Sequence, residues 1–325
     1  MTEEREAAVG SPGPDPGPCA VERERGRLTG MAHRMLGTVS EAEEAVQEAY
    51  LRWYRLDRAD RERVTNPAAW LTRVTSRICL DLLGSARARR ERYVGPWLPE
   101  PVPEGAFPGA GGGWARSVAM APAAEQPPDR VVVDEEVGTA LLVVMESMTP
   151  AERVVFVLHD VFAVPFAEIA LAVGRTPAAT RQLARSARAR LGSARRAPAD
   201  RAEHARVVAA FAAACRGGDI ERLVALLDPG AALRSDGGGV VRAARRPVRG
   251  ARDIGRFLVG VLAKNPRVRL APAATADGAG LLLVADGALV GVVTLDSRHG
   301  RVTEVWIQQN PAKLTRWPRL LPDGG

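Results

Sequence analysis

Residues 149–191, TPAERVVFVLHDVFAVPFAEIALAVGRTPAATRQLARSARARL, leave the least room for alternative folds. Thr149-Pro150-Ala151-Glu152 has the form of a capping box with proline at the first helical position. The helix it starts turns Val154, Val155, Val157 and Leu158 inward. Pro165 opens a short helix with Phe166, Ile169 and Ala170 as its apolar side. Gly174 permits a tight turn, because glycine tolerates positive φ. Thr176-Pro177 then starts a last helix. Its inner stripe is Thr180, Leu183, Ala184, Ala187 and Leu191, and its outer face is Ala178, Arg181, Gln182, Arg185, Ser186, Arg188 and Arg190. A short helix, a glycine turn and an arginine-faced second helix match a helix-turn-helix, whose second helix enters the major groove. A plain helical hairpin is the alternative.

The rest of the chain fits a partner of opposite charge. Its 325 residues suffice for two or three domains. The net charge of +7 and pI near 10.1 favour a polyanion. No apolar run has the length of a membrane span. Residues 1–20 are acidic and proline-rich, which reads as a disordered tail and not a signal peptide, so a cytoplasmic protein is expected. Cys19, Cys79 and Cys215 are odd in number and widely spaced, with no disulfide framework or zinc motif. No cofactor or metal is implied.

Ahead of the helix-turn-helix (135–196), residues 21–95 read as helical. Ser40-Glu41-Ala42-Glu43 has capping-box form, and Ala42, Val46, Ala49, Tyr50, Trp53 and Tyr54 make an apolar stripe opposite Glu43, Glu44, Gln47, Glu48 and Arg52. Asn66-Pro67 starts another helix, with Trp70, Leu71, Val74, Ile78 and Leu82 inward. Arg73 and Arg77 share its other face with Thr72, Ser76 and Asp81, and an arginine cluster follows in SARARRERY. Solvation alone explains many charged faces. An acidic helix, a basic one and an arginine cluster in succession suit a basic protein partner followed by a nucleic-acid backbone.

Residues 96–134 are rich in proline and glycine and read as a linker. About 35 residues of random coil span roughly 30–35 Å. The linker opens with Trp97-Leu98-Pro99-Glu100-Pro101, an apolar pair held among prolines. A tryptophan exposed in a solvated linker gains nothing, so Trp97 and Leu98 are expected to dock on the C-terminal part of the chain near DGGG (236–239), the alternative being that Trp97 caps the core of 21–95.

Taken together, LTGMAHRMLGTVSEAEEAVQEAYLRWY (28–54) and NPAAWLTRVTSRICLDLLGSARARRERY resemble region 2 of the extracytoplasmic-function sigma factors of the sigma-70 family. Residues 149–191 resemble their region 4. WLPEP (97–101), DGGG (236–239) and NPAKL (310–314) resemble the subgroup carrying a fused SnoaL-like C-terminal domain. The resemblance implies two all-α sigma domains plus an α+β cone, a non-enzymatic protein, and RNA polymerase core and promoter DNA as partners. Glu44, Gln47, Glu48 and Leu51 would meet the clamp helices of the largest polymerase subunit. Arg73, Arg77, Asp81, Arg87, Arg89 and Arg90 would hold the melted −10 strand. Thr176, Thr180, Arg181, Gln182, Arg185, Ser186 and Arg188 would read the −35 element. Trp97, Leu98, Pro99, Asp236, Gly237, Gly238, Gly239, Asn310 and Pro311 would form an interdomain regulatory contact. The chain departs from the family at Arg77, where Asn is common, at Val240 (usually Lys) and at Ala312 (usually Asp).

Residues 203–316 fit the implied cone, a curved sheet of the SnoaL or ketosteroid-isomerase type with an interior able to take a small molecule. Helical spacing runs over 203–227, and strands are expected at 231–235, 240–244, 267–274, 280–285, 288–296 and 301–308, with a hairpin turn at Asp286-Gly287. Residues 317–325 read as a tail, and Trp317 in NPAKLTRWP, set between Arg316 and Pro318, is expected to pack back or touch polymerase, the alternative being a poorly ordered end. Only His204 and His299 fall in this domain, and its aspartates mostly border Gly or Pro as turn residues. No acid–base constellation emerges, which favours a ligand-sensing or structural role over catalysis.

Overall fold

The structure is a computed structural model that describes residues 21–91, 93–107, 138–191, 201–276 and 278–317, without the side chains of 86–91. The expected tail 1–20, most of the linker, the ends of the 135–196 unit and residues 318–325 lie outside the described residues, as do Cys19 and the side chains of Arg87, Arg89 and Arg90.

The N-terminal unit packs α1 (Arg25–Leu36), α2 (Val39–Arg55), α3 (Arg58–Glu62) and α4 (Pro67–Glu91). Asn66 caps α4, its side-chain oxygen accepting the Ala69 N–H at 3.0 Å. Helix α2 begins two residues earlier than the Ser40 signature implies: Thr38 is its N-cap residue, and the Thr38 hydroxyl donates to Glu41. Its inner stripe is buried except for Tyr54, which is exposed. On α4, Thr72 and Ser76 lie in the interior and not on the charged face, Thr72 accepting from Arg27 and Ser76 donating to its own helix backbone.

The second unit comprises α5 (Thr139–Met145), α6 (Pro150–Phe156), a π turn (Val157–Val161), α7 (Phe166–Val173) and α8 (Pro177–Leu191). Thr149 and Glu152 form the reciprocal capping box. Gly174 ends α7 at φ +65°, where a side chain would be strained. The inward faces of both units merge into one apolar core, in which Leu28, Met31, Leu71 and Ile78 join Met145, Phe156, Leu158 and Ile169.

The C-terminal domain is α+β. Helices α9 (Arg201–Gly217) and α10 (Ile220–Leu226) precede β1 (Leu227–Asp236), β2 (Val248–Arg249), α11 (Ala251–Lys264), β3 (Val268–Thr275), β4 (Gly278–Ala285), β5 (Ala288–Arg298) and β6 (Arg301–Gln308). The sheet order is β2-β1-β6-β5-β4-β3, and all neighbours are antiparallel except β1 with β6. Alternation along the strands separates two faces. Leu281, Leu283, Val293 and Val305 pack under the helices with Phe211, Leu223 and Ile254, whereas Leu282 and Val292 meet Leu314 and Trp317 on the other side. Trp317 therefore packs back onto the domain, one of the two arrangements expected for it. The expected strand at 240–244 is absent. Three glycines wind that segment into a turn in which the N–H groups of Val240 and Val241 both donate to Gly237 O, at 3.0 and 2.8 Å. The amphipathic helix α11 went unread in the sequence.

Candidate polymerase and promoter interfaces, and the seam between domains

The face of α2 away from the core carries Glu44, Gln47 and Leu51 in the open, with Leu51 44% exposed. Glu48 is half-buried and pairs with Arg52 at 2.8 Å. On α4, Arg73, Arg77 and Asp81 are exposed along one edge. That edge leans on the helix-turn-helix: a methyl added at Gly174 would come within 3.3 Å of Arg77 Nη1. A cavity of about 290 Å³ opens nearby, lined by Arg63, Asn66, Trp70 and Arg73 of the first unit and Glu168 and Leu171 of the second.

The seven residues at and just before α8 that are expected at DNA divide into two sets. Arg181, Gln182 and Arg185 point outward and exposed, and Thr176 is exposed at the helix start with its hydroxyl accepting the Ala179 N–H. Thr180 is a correction, since it is fully buried and donates to Thr176 O at 3.0 Å. Ser186 and Arg188 face inward acids instead of an open surface. Ser186 donates to Glu152, and Arg188 pairs with the buried Asp160 at 2.7 Å. Burial disfavours the Glu152 charge, but hydrogen bonds from Ser186, Thr149 and Arg190 outweigh it and hold the carboxyl at about 2.

The three short motifs meet in one place. Residues 97–104, the start of the expected linker, form a packed strap between the first helical unit and the C-terminal domain. Leu98 is buried, its N–H donating to Asp236 at 3.0 Å and its carbonyl accepting from Gln308 and Lys313. Lys313 also pairs with Asp236 at 2.8 Å and sits 4.2 Å from the centre of the Trp97 ring. Asp236 further accepts from Tyr93 Oη at 2.6 Å and from the Gly238 N–H at 2.9 Å. Burial alone would raise the Asp236 carboxyl, yet Lys313, Tyr93 and Leu98 bring it below its ordinary value. Asn310 donates to Tyr93 Oη and accepts from the Ala312 N–H with Pro311 between them. A side chain at Gly238 would collide with Asn310 at 2.5 Å.

The far side of the strap grips the first unit. Gly37 approaches Trp97 so closely that a methyl there would lie 2.5 Å from the indole. The Glu100 N–H donates to Gly37 O at 2.8 Å, His33 reaches Glu100 O at 3.2 Å, and the Glu100 carboxylate accepts the Val39 N–H at 2.8 Å. Glu100 thus supplies the side-chain cap that α2 lacks. Farther along, Val102 O accepts the Ala276 N–H at 3.0 Å beyond the edge of β3, and Trp317 Nε1 donates to Pro101 O at 2.9 Å. Both expected positions of Trp97, against region 21–95 and against the C-terminal domain, are occupied at once.

Tyr93, Glu100, Gln308 and Lys313 belong to this seam but were not singled out from sequence, whereas Trp317, expected to pack back or touch polymerase, does pack back. Lys313 and Glu100 were legible as members of NPAKL and WLPEP. Tyr93 and Gln308 carried no signal, because Asp236 and Leu98, which they bond across the seam, lie 143 and 210 residues away from them.

Comparison with known proteins agrees with this architecture. The family description "Sigma-70 region 2" matches residues 20–89, and "Sigma-70, region 4" matches 139–191. The chain is 38% identical over 317 residues to ECF RNA polymerase sigma factor SigJ of Mycobacterium tuberculosis, covering 90% of this chain and 92% of SigJ. It is 35% identical over 302 residues to the probable ECF RNA polymerase sigma factor SigI of the same species, covering 92% and 95%. The crystal structure of Mycobacterium tuberculosis SigJ superposes with a TM-score of 0.67 at 34% identity, over 92% of this chain and 98% of that one. With both helical DNA-reading units and the C-terminal sheet domain accounted for, the chain belongs to the extracytoplasmic-function sigma factors of the sigma-70 family, which direct RNA polymerase to promoters.

Proposed function

We propose that the C-terminal domain modulates initiation by setting, through the strap, how the two sigma units are presented to polymerase in the cytoplasm. The observation that carries this is a continuous connection. Glu100 caps the first turn of α2, while Leu98, two residues earlier, is held by Asp236 and Lys313 of the C-terminal domain. In this reading Glu44, Gln47, Glu48 and Leu51 meet the clamp helices of the largest subunit. Arg73, Arg77, Asp81, Arg87, Arg89 and Arg90 hold the −10 strand. Arg181, Gln182, Arg185 and the backbone around Thr176 address the −35 element, with Arg188 and Ser186 bracing the helix from behind. The role of the C-terminal domain is regulatory, not catalytic.

In vitro transcription with bacterial core polymerase tests the proposal, comparing full-length wild type with Trp97→Ala and Glu100→Ala. Both variants are expected to change the rate of specific initiation and the domain arrangement seen by small-angle scattering. If both variants keep wild-type transcription and scattering, the strap does not govern presentation and the proposal fails.

A further inference from the structure

We propose that the loop 240–249 of the C-terminal domain is a contact for the phosphate backbone of promoter DNA beside the −10 element. Residues 237–252 carry Arg242, Arg245, Arg246, Arg249 and Arg252 and no acidic residue. All five arginines are exposed, and among the described residues none of them makes an ion pair. Two arginines elsewhere on this domain are matched, Arg234 with Glu304 and Arg267 with Asp286. A cluster of unmatched guanidinium groups is favourable where a polyanion neutralises it and releases counterions.

The loop is held beside the exit of the helix expected to grip the −10 strand. Tyr93, two residues beyond the end of α4, donates to Asp236 at the base of the loop. A methyl at Gly239 would meet the Val94 side chain at 3.5 Å, and one at Gly95 would meet the Arg245 backbone at 3.8 Å. The turn itself is rigid, because Gly237 is so enclosed that a methyl would strike Val241 O at 2.1 Å. Val240, 80% exposed, tops it with Val94 alongside. The basic edge of α4 therefore continues onto the C-terminal domain, and DNA laid along Arg73 and Arg77 toward the end of that helix next meets Arg245 and its neighbours. The inference rests on the family's promoter binding and is independent of the strap's regulatory role.

The test uses full-length protein assembled with core polymerase, and measures promoter affinity against salt concentration. Arg242→Gln/Arg245→Gln/Arg246→Gln is expected to reduce the slope of log K against log salt by about 2–3 and weaken binding about 10-fold or more, equally on promoters of different sequence. Because a phosphate accepts any point charge, the triple lysine variant at these positions should retain both slope and affinity. An unchanged slope and affinity in the glutamine variant would overturn the proposal. So would lost affinity for core polymerase at an unchanged DNA slope, which assigns the loop to the polymerase surface. Loss of binding in the lysine variant as well would also overturn it, since the effect would then be one of shape and not of charge.

Discussion

Lys313 Nζ lies 2.8 Å from the Asp236 carboxylate, and the two side chains are only 6% and 0% exposed. Removing one member of a buried pair leaves the other uncompensated. Lys313→Met is expected to cost about 3 kcal/mol, the low end of such losses, because Tyr93 and two backbone N–H groups still solvate the carboxylate. Asp236→Asn in the same chain should recover part of it. The folded carboxyl titrates below its ordinary 3.8, so its stabilisation is present above that pH and is lost as pH falls through the folded value. Chemical denaturation at pH 7 and pH 3 should show the Lys313→Met deficit shrinking in acid.

His33 should make the seam acid-sensitive over a different range. Burial, with Arg34 adding to it, pushes the imidazole from 6.5 down to about 3. The unfolded chain takes up that proton first, so stability declines as pH drops below 6.5 and levels off near 3, at no more than about 1.4 kcal/mol per pH unit. His33→Asn can still donate to Glu100 O without titrating. Proton uptake on unfolding near pH 5 should be smaller by close to one proton in the variant. Equal uptake would mean that His33 is not held neutral.

Gly37→Ala probes the close approach of the strap. Gly37 has φ +86° and faces the Trp97 indole. Backbone strain and the collision together should cost about 1–3 kcal/mol. In a Trp97→Ala background the collision disappears and only the strain is left, so the two substitutions should be non-additive in a double-mutant cycle.

On the recognition helix, exposure separates readers from supports. Arg185→Ala should weaken −35 binding by about 1–3 kcal/mol, roughly 10–100-fold. Thr180→Val should leave DNA binding unchanged while lowering the unfolding free energy by about 1 kcal/mol through loss of the bond to Thr176 O. Filter binding to a −35 duplex and urea denaturation distinguish these effects.

Local chemistry was legible in the sequence. The Thr149 box, the Asn66 cap and the hairpin at Asp286-Gly287 all depend on residues a few positions apart, and the structure contains each of them. Burial by distant partners was not. Ser186 and Arg188 fall on the outward arc of an isolated helix, and only the fold brings Glu152 and Asp160 beneath them. Val240 and Val241 have strand-forming side chains, but the glycines before them impose a turn. The gathering of WLPEP, DGGG and NPAKL into one seam requires contacts across 138 and 77 residues, which no local pattern encodes.

The apolar core shared by the two sigma units ties stability to availability. A promoter presents its −10 and −35 elements in sequence along a duplex, whereas here the residues proposed to read them are packed side by side, with Arg77 beside the Gly174 turn. If the proposed readers engage both elements only when that packing parts, the free energy holding it together would be subtracted from the affinity for polymerase and promoter. Substitutions that loosen Leu71 or Ile169 against their neighbours would make the isolated protein more fragile and its open form more abundant. In that case the contacts that keep the two units folded would also limit how readily they separate.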